Sequence, residues 1–148
     1  MDLSWMKWPL IVGVVFLVFW LLSSAGVNFM YSKFTAGTPG ADAAVDTRNE
    51  AGLTKLGNYL MKTLRYSKAE EVIQKAVDTY PQGANYWLNV FRLVRLAEKR
   101  EDYQHAVDLL QYLIQNDAPG KNPHIPQIEN LEARMQKLIE VHELNKKH

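Results

Sequence analysis

Cysteine is absent from the 148-residue chain, which excludes disulfide staples, a thiolate nucleophile and Cys-ligated zinc together. It leaves the redox compartment open. An excess of charge of one sign is also lacking: 17 Lys and Arg stand against 16 Asp and Glu, a formal net charge of +1. No whole-chain field gathers nucleic acid or coats an anionic membrane, so any such binding needs a local patch. Alternating runs of β-branched residues are nearly missing, which argues against a sheet. The four histidines, His105, His124, His142 and His148, fall at no metal-ligand spacing, and there is no H-E-x-x-H, G-x-x-x-x-G-K or G-x-S-x-G. The chain therefore reads as a non-enzyme that needs no metal or other cofactor. No N-x-Ser/Thr acceptor is present to argue for a eukaryotic secretory route.

What the chain does have is segregated. Residues 8–32 carry no charge, and Trp8 to Leu22 is apolar apart from Pro9 and Gly13. As one helix, residues 8–30 would run about 35 Å, enough for a hydrocarbon core of roughly 30 Å. Pro9 would fall in the first turn, and Trp5, Trp8 and Tyr31 would sit where interfacial aromatics belong. Ser23-Ser24-Ala25 is similar to a signal-peptide cleavage site, but apolar character resumes at Val27, Phe29, Met30 and Tyr31, which favours a retained anchor over residues 1–32. Lys7 on the short N-side favours an N-in orientation. The remainder is then expected outside the cytoplasm, in the periplasm of a bacterial inner-membrane protein.

Residues 33–50 hold few bulky apolar side chains and a Thr38-Pro39-Gly40 turn signal, and read as a linker. From 51 to 148 the apolar period is 3.6, which predicts an all-α domain. A first helix carries Leu53, Leu56, Leu60 and Leu64. A second, over 67–80, has Ser67 and Glu70 at capping-box spacing. A third covers 85–100 and a fourth 103–116. The Pro119, Pro123, Pro126 stretch is expected to be a loop, and a last helix over 126–145 places Ile128, Leu131, Met135, Leu138 and His142 on one face.

Sliding the chain against itself by 37 residues aligns Leu53 with Val90, Leu56 with Leu93, Tyr66 with Tyr103, Ala69 with Ala106 and Ile73 with Leu110. A helix pair repeated at this period is the signature of a solenoid, because one pair cannot bury its own apolar face. Leu53, Leu56-Gly57, Leu60, Tyr66-x-x-Ala69, Ile73, Ala76 and Pro81 resemble the tetratricopeptide repeat (TPR) pattern, and Tyr103-x-x-Ala106 with Leu110 resembles it in the second unit. The resemblance implies two helix pairs over about 50–118 and a capping helix. Two units and a cap fall below the usual minimum for such arrays. A second copy or a hetero-complex is therefore expected to cover the open edge.

The same offset aligns Lys55, Asn58 and Lys62 with Arg92, Arg95 and Lys99, each set at i, i+3, i+7. First helices of successive solenoid units share one face, so Asn58, Lys62, Arg92, Arg95 and Lys99 are the candidate partner-binding residues. Their charge suits an acidic segment or a C-terminal carboxylate of another protein. Aromatics for base stacking are missing from this face except Phe91, which argues against nucleic acid. Two functions fit: an anchored adaptor or assembly factor for a membrane-associated complex, or a permanent accessory subunit of one. The plan is similar to that of bacterial inner-membrane proteins with a periplasmic TPR domain. It is less similar to the mitochondrial import receptors, whose basic flank after the anchor is missing here.

Overall fold

A computed structural model describes residues 4–144, with side chains from Lys7 onward. Met1 to Leu3, the Trp5 side chain, Asn145 and His148 lie outside the described residues. Among those described there are eight helices and no strand, as the period predicts. The chain divides after Ala36 into two units.

The first unit corrects the expectation of one helix over 8–30. It holds α1 (Ser4–Leu22) and α2 (Ser24–Thr35), broken at Ser23 and bent by 71°. Ser23 is extended, and its Oγ accepts a hydrogen bond from the Gly26 N–H, which caps α2. Glycine is required at 26, because a Cβ there would lie 2.3 Å from the Trp20 carbonyl oxygen. No single described helix is long and apolar enough to cross a membrane, whereas Lys7–Leu22 and Ser24–Thr35 meet that length and composition together. Pro9 lies inside α1 and not in its first turn. Trp8, Leu10, Ile11, Phe16, Phe19 and Trp20 are all exposed. In α2 the exposed side chains include Ser24, Asn28, Ser32 and Lys33, and Val27, Met30, Tyr31 and Phe34 are buried or half-buried.

The second unit begins with a turn in which the Gly40 N–H donates to Asp46 Oδ2 at 2.8 Å, with Gly40 in the left-handed region. Asp42 then caps α3 (Ala43–Lys62), its Oδ1 accepting from the Ala44 and Val45 N–H groups. Residues 43–50, expected as linker, are therefore helical. The helices that follow are α4 (Tyr66–Thr79), α5 (Tyr86–Lys99), α6 (Tyr103–Gln115), α7 (Ala118–Lys121) and α8 (Ile128–His142). The short α7 lies in the expected loop, with Pro119 in its first turn, where no N–H is missed.

Packing runs in sequence: α3 on α4, α4 on α5, α5 on α6, and α6 on α8. The 37-residue offset reappears in the backbone. Leu64 and Glu101 are both left-handed, with φ of 60° and 62°. The Arg65 N–H donates to the Leu60 carbonyl at 2.9 Å, and Asp102 repeats this with Ala97 at 2.9 Å. This wrap-back closes a helix and fixes where the next one starts. It explains why α4 begins at Tyr66 with no side-chain cap, so the Ser67 capping box is not formed. Inside the hairpins Ala69 and Ala106 are fully buried. At Gly57 a Cβ would meet Ile73 Cγ1 at 2.3 Å. A core cluster runs through Val90, Val94, Leu110 and Leu113 to Leu131, with Met135 and Leu138 against it.

Candidate partner-binding groove

The first helices of the two hairpins, α3 and α5, are tied by polar contacts. Asn89, fully buried, donates from Nδ2 to Thr54 Oγ1 at 2.8 Å. Glu50, 3% exposed, accepts from the Asn85 backbone N–H at 2.8 Å and from Asn85 Nδ2 at 2.9 Å. These bonds satisfy groups that would otherwise be costly to bury. They also set the register in which the exposed stripes of α3 and α5 run side by side.

Between the stripes lies a groove of about 190 Å³ lined by Asn58, Met61, Lys62, Tyr66, Arg95 and Lys99. Four of the five expected residues, Asn58, Lys62, Arg95 and Lys99, are thus brought together. Arg92 does not line this groove. Its half-buried guanidinium donates from Nη1 to the Thr54 carbonyl at 3.2 Å and to Asn89 Oδ1 at 3.4 Å. Burial, and next the charge of Arg95, lower its pKa from the ordinary arginine value. Arg92 stitches α3 to α5 and adds positive potential behind the groove. Met61 and Tyr66, which the sequence does not mark as site residues, supply apolar wall.

The ion pairs of the domain lie elsewhere: Lys68 with Glu71, Arg100 with Glu70, and Arg134 with Glu98. Among the described residues no acidic side chain pairs with Lys62, Arg95 or Lys99. Three cations around one concavity with no internal counter-charge form a ready site for carboxylates.

Other concavities are less suited. A groove of about 740 Å³ runs beside Pro39, Asp46, Glu50, Tyr80 and Gly83, but the Glu50 carboxylate is already used by Asn85. A cavity of about 300 Å³ between α5, α6 and α8 is walled by the Glu98–Arg134 pair and by His142. His142 lies flat on Tyr103, with centroids 3.5 Å apart, so it serves packing. Trp87 is stacked on Tyr112 and carries Lys121 Nζ 4.3 Å from its ring centroid.

No protein-family model, no curated protein and no solved structure matches this chain.

Proposed function

We propose that this chain is a membrane-anchored, TPR-like interaction module, an adaptor that holds a partner protein by an acidic or C-terminal carboxylate segment in the groove between α3 and α5. The observation that carries the reading is the cluster of Lys62, Arg95 and Lys99 around one groove without an acidic partner. The TPR-like assignment is supported by the Tyr-x-x-Ala starts of α4 and α6 and by the close Gly57–Ile73 approach. Anchoring is supported by α1, whose apolar side chains are exposed on all sides over Trp8–Leu22. Such a cylinder is stable only when lipid or protein covers it. Together with α2, α1 meets the length and composition of a span, which supports residues 7–35 as the anchoring segment. With the N-terminus inside, the domain faces the periplasm.

A photo-reactive residue in place of Asn58, in the full chain in native membranes, tests this reading. An adduct is expected with a protein carrying an acidic segment, lost in Arg95→Glu/Lys99→Glu and retained in the control Lys75→Glu. An adduct indifferent to both variants, or none, would remove the groove from the function.

A further inference from the structure

Among the described residues, the helical stack of residues 37–144 has two end helices, α3 and α8, and each leaves one face without a neighbour within the stack. On α3 the exposed Arg48, Lys55 and Lys62 follow at i, i+7 and i+14, so they form one line along the helix. Leu53, Gly57 and Leu60 on the buried side face α4, and Glu50 and Thr54 face α5. On α8 and its cap the exposed side chains Glu129, Glu132, Glu140 and Glu143 form a second line. It lies opposite the Leu131 and Leu138 face that packs on the core, and away from Arg134, which reaches Glu98 of α5. One end of the stack is therefore basic and the other acidic. The two lines match in length, each covering about 21 Å at the helical rise.

Nothing within the described residues uses these charges as ion pairs. Among the described residues, the one side-chain hydrogen bond made by either line is Glu140 Oε1 accepting from Gln136 Nε2 at 3.2 Å. We propose that a second copy of this chain covers each end. The acidic line of α8 in one copy docks on Arg48, Lys55 and Lys62 of α3 in the next, head to tail. A heterologous contact of this kind repeats into a chain or closes into a ring. It also extends the short stack in the direction in which its own layers already pack, α4 on α5 and α6 on α8. Of this line only Lys62 is shared with the client groove, and Arg48 and Lys55 lie outside it, so changes at 48 and 55 test the contact separately from client binding. Exposed pairs of this kind are individually weak and screened by salt. Assembly is therefore expected where copies are concentrated, as they are when anchored in one bilayer.

The test uses two charge-reversed full-length proteins, Arg48→Glu/Lys55→Glu and Glu129→Lys/Glu132→Lys/Glu140→Lys, in mild detergent and in lipid vesicles. In the first both ends are acidic and in the second both are basic. Sedimentation at low salt should show oligomers for the natural chain and monomers for each variant alone. An equimolar mixture of the two variants should recover the oligomers, because every contact then again joins opposite charges. The cysteine-free background adds a direct readout with a short bismaleimide. Copies carrying Lys55→Cys should couple to copies carrying Glu132→Cys several-fold more than either couples to itself, and high salt should remove the preference. A monomeric natural chain, a mixture that stays monomeric, or self-coupling equal to cross-coupling would overturn the proposal. Unchanged circular dichroism of the variants keeps a folding defect from imitating the expected loss. Client capture at Asn58 that survives in both variants keeps failure here separate from failure of the groove.

Discussion

Gly57→Ala is a sensitive probe of how the first hairpin closes. A methyl group at 57 would stand 2.3 Å from Cγ1 and 2.9 Å from Cδ1 of Ile73, and Ile73 is fully buried. One of the two helices must then move. Overpacking of this kind costs about 1–3 kcal/mol, and replacing a mid-helix glycine returns about 1 kcal/mol of propensity, so a net loss of up to about 2 kcal/mol is expected. Ile73→Ala alone should cost about 2–5 kcal/mol through the cavity it leaves. The double variant should lose less than the sum by about 1–2 kcal/mol, because the alanine methyl then enters space that the isoleucine vacated. Urea unfolding of the full chain in mild detergent, followed by circular dichroism, measures all three corners. Additive losses, or a stabilising Gly57→Ala, would refute the close approach and with it the packing of α3 on α4. The equivalent positions of the second hairpin are Val94 and Leu110, both buried. Leucine branches one carbon further from the backbone than isoleucine, so Gly57→Val with Ile73→Leu should fold where Gly57→Val alone should not.

Leu64 and Glu101 hold left-handed backbone at exposed turn positions. Glycine at either one should raise stability by up to about 1 kcal/mol in the same urea experiment, since relief of the side-chain strain outweighs the added chain entropy. Glu50→Ala should cost about 1–3 kcal/mol by leaving the Asn85 donors without their acceptor, and Glu50→Gln should recover only part of it. The Tyr86 hydroxyl, raised to about 12 by burial and then by its hydrogen bond to Tyr112, should titrate last among the tyrosines in near-ultraviolet absorbance. Its contribution is fully present below the ordinary tyrosine value of about 10 and is lost as pH rises from there through about 12. Tyr86→Phe should remove both the late titration and that loss.

The helical class and the core stripes were legible because burial on a helix repeats every 3.6 residues. Leu53, Leu56, Leu60, Val72, Ile73 and Leu131 are all buried. The 37-residue repeat was legible for the same reason, and the backbone extends it to the left-handed pair Leu64 and Glu101; Leu64, expected on the apolar stripe of the first helix, is instead an exposed turn residue beyond its end. Three features depend on contacts that hydropathy does not carry. The break at Ser23 rests on Gly26 seated against the Trp20 carbonyl, a backbone approach that hydropathy does not register. The start of α3 at Ala43 rests on an aspartate cap followed by small helix formers, with the buried polar pair Asn49 and Glu50 where large apolar residues are ordinarily sought. The inward turn of Arg92 rests on the Thr54 carbonyl and Asn89, acceptors that only the packing of α3 beside α5 brings within reach.

The central claim, that the groove beside Lys62, Arg95 and Lys99 holds carboxylates, is tested most directly by anisotropy of a fluorescent acidic peptide against the full chain in detergent. The account predicts saturable binding that weakens with salt and with amidation of the peptide C-terminus. It predicts a loss of at least about a hundredfold in Arg95→Glu/Lys99→Glu, from two charge-assisted contacts of about 1.5 kcal/mol or more each, and no change in Lys75→Glu. Equal affinity in both variants, or equal affinity for a neutral peptide of the same length, would contradict it.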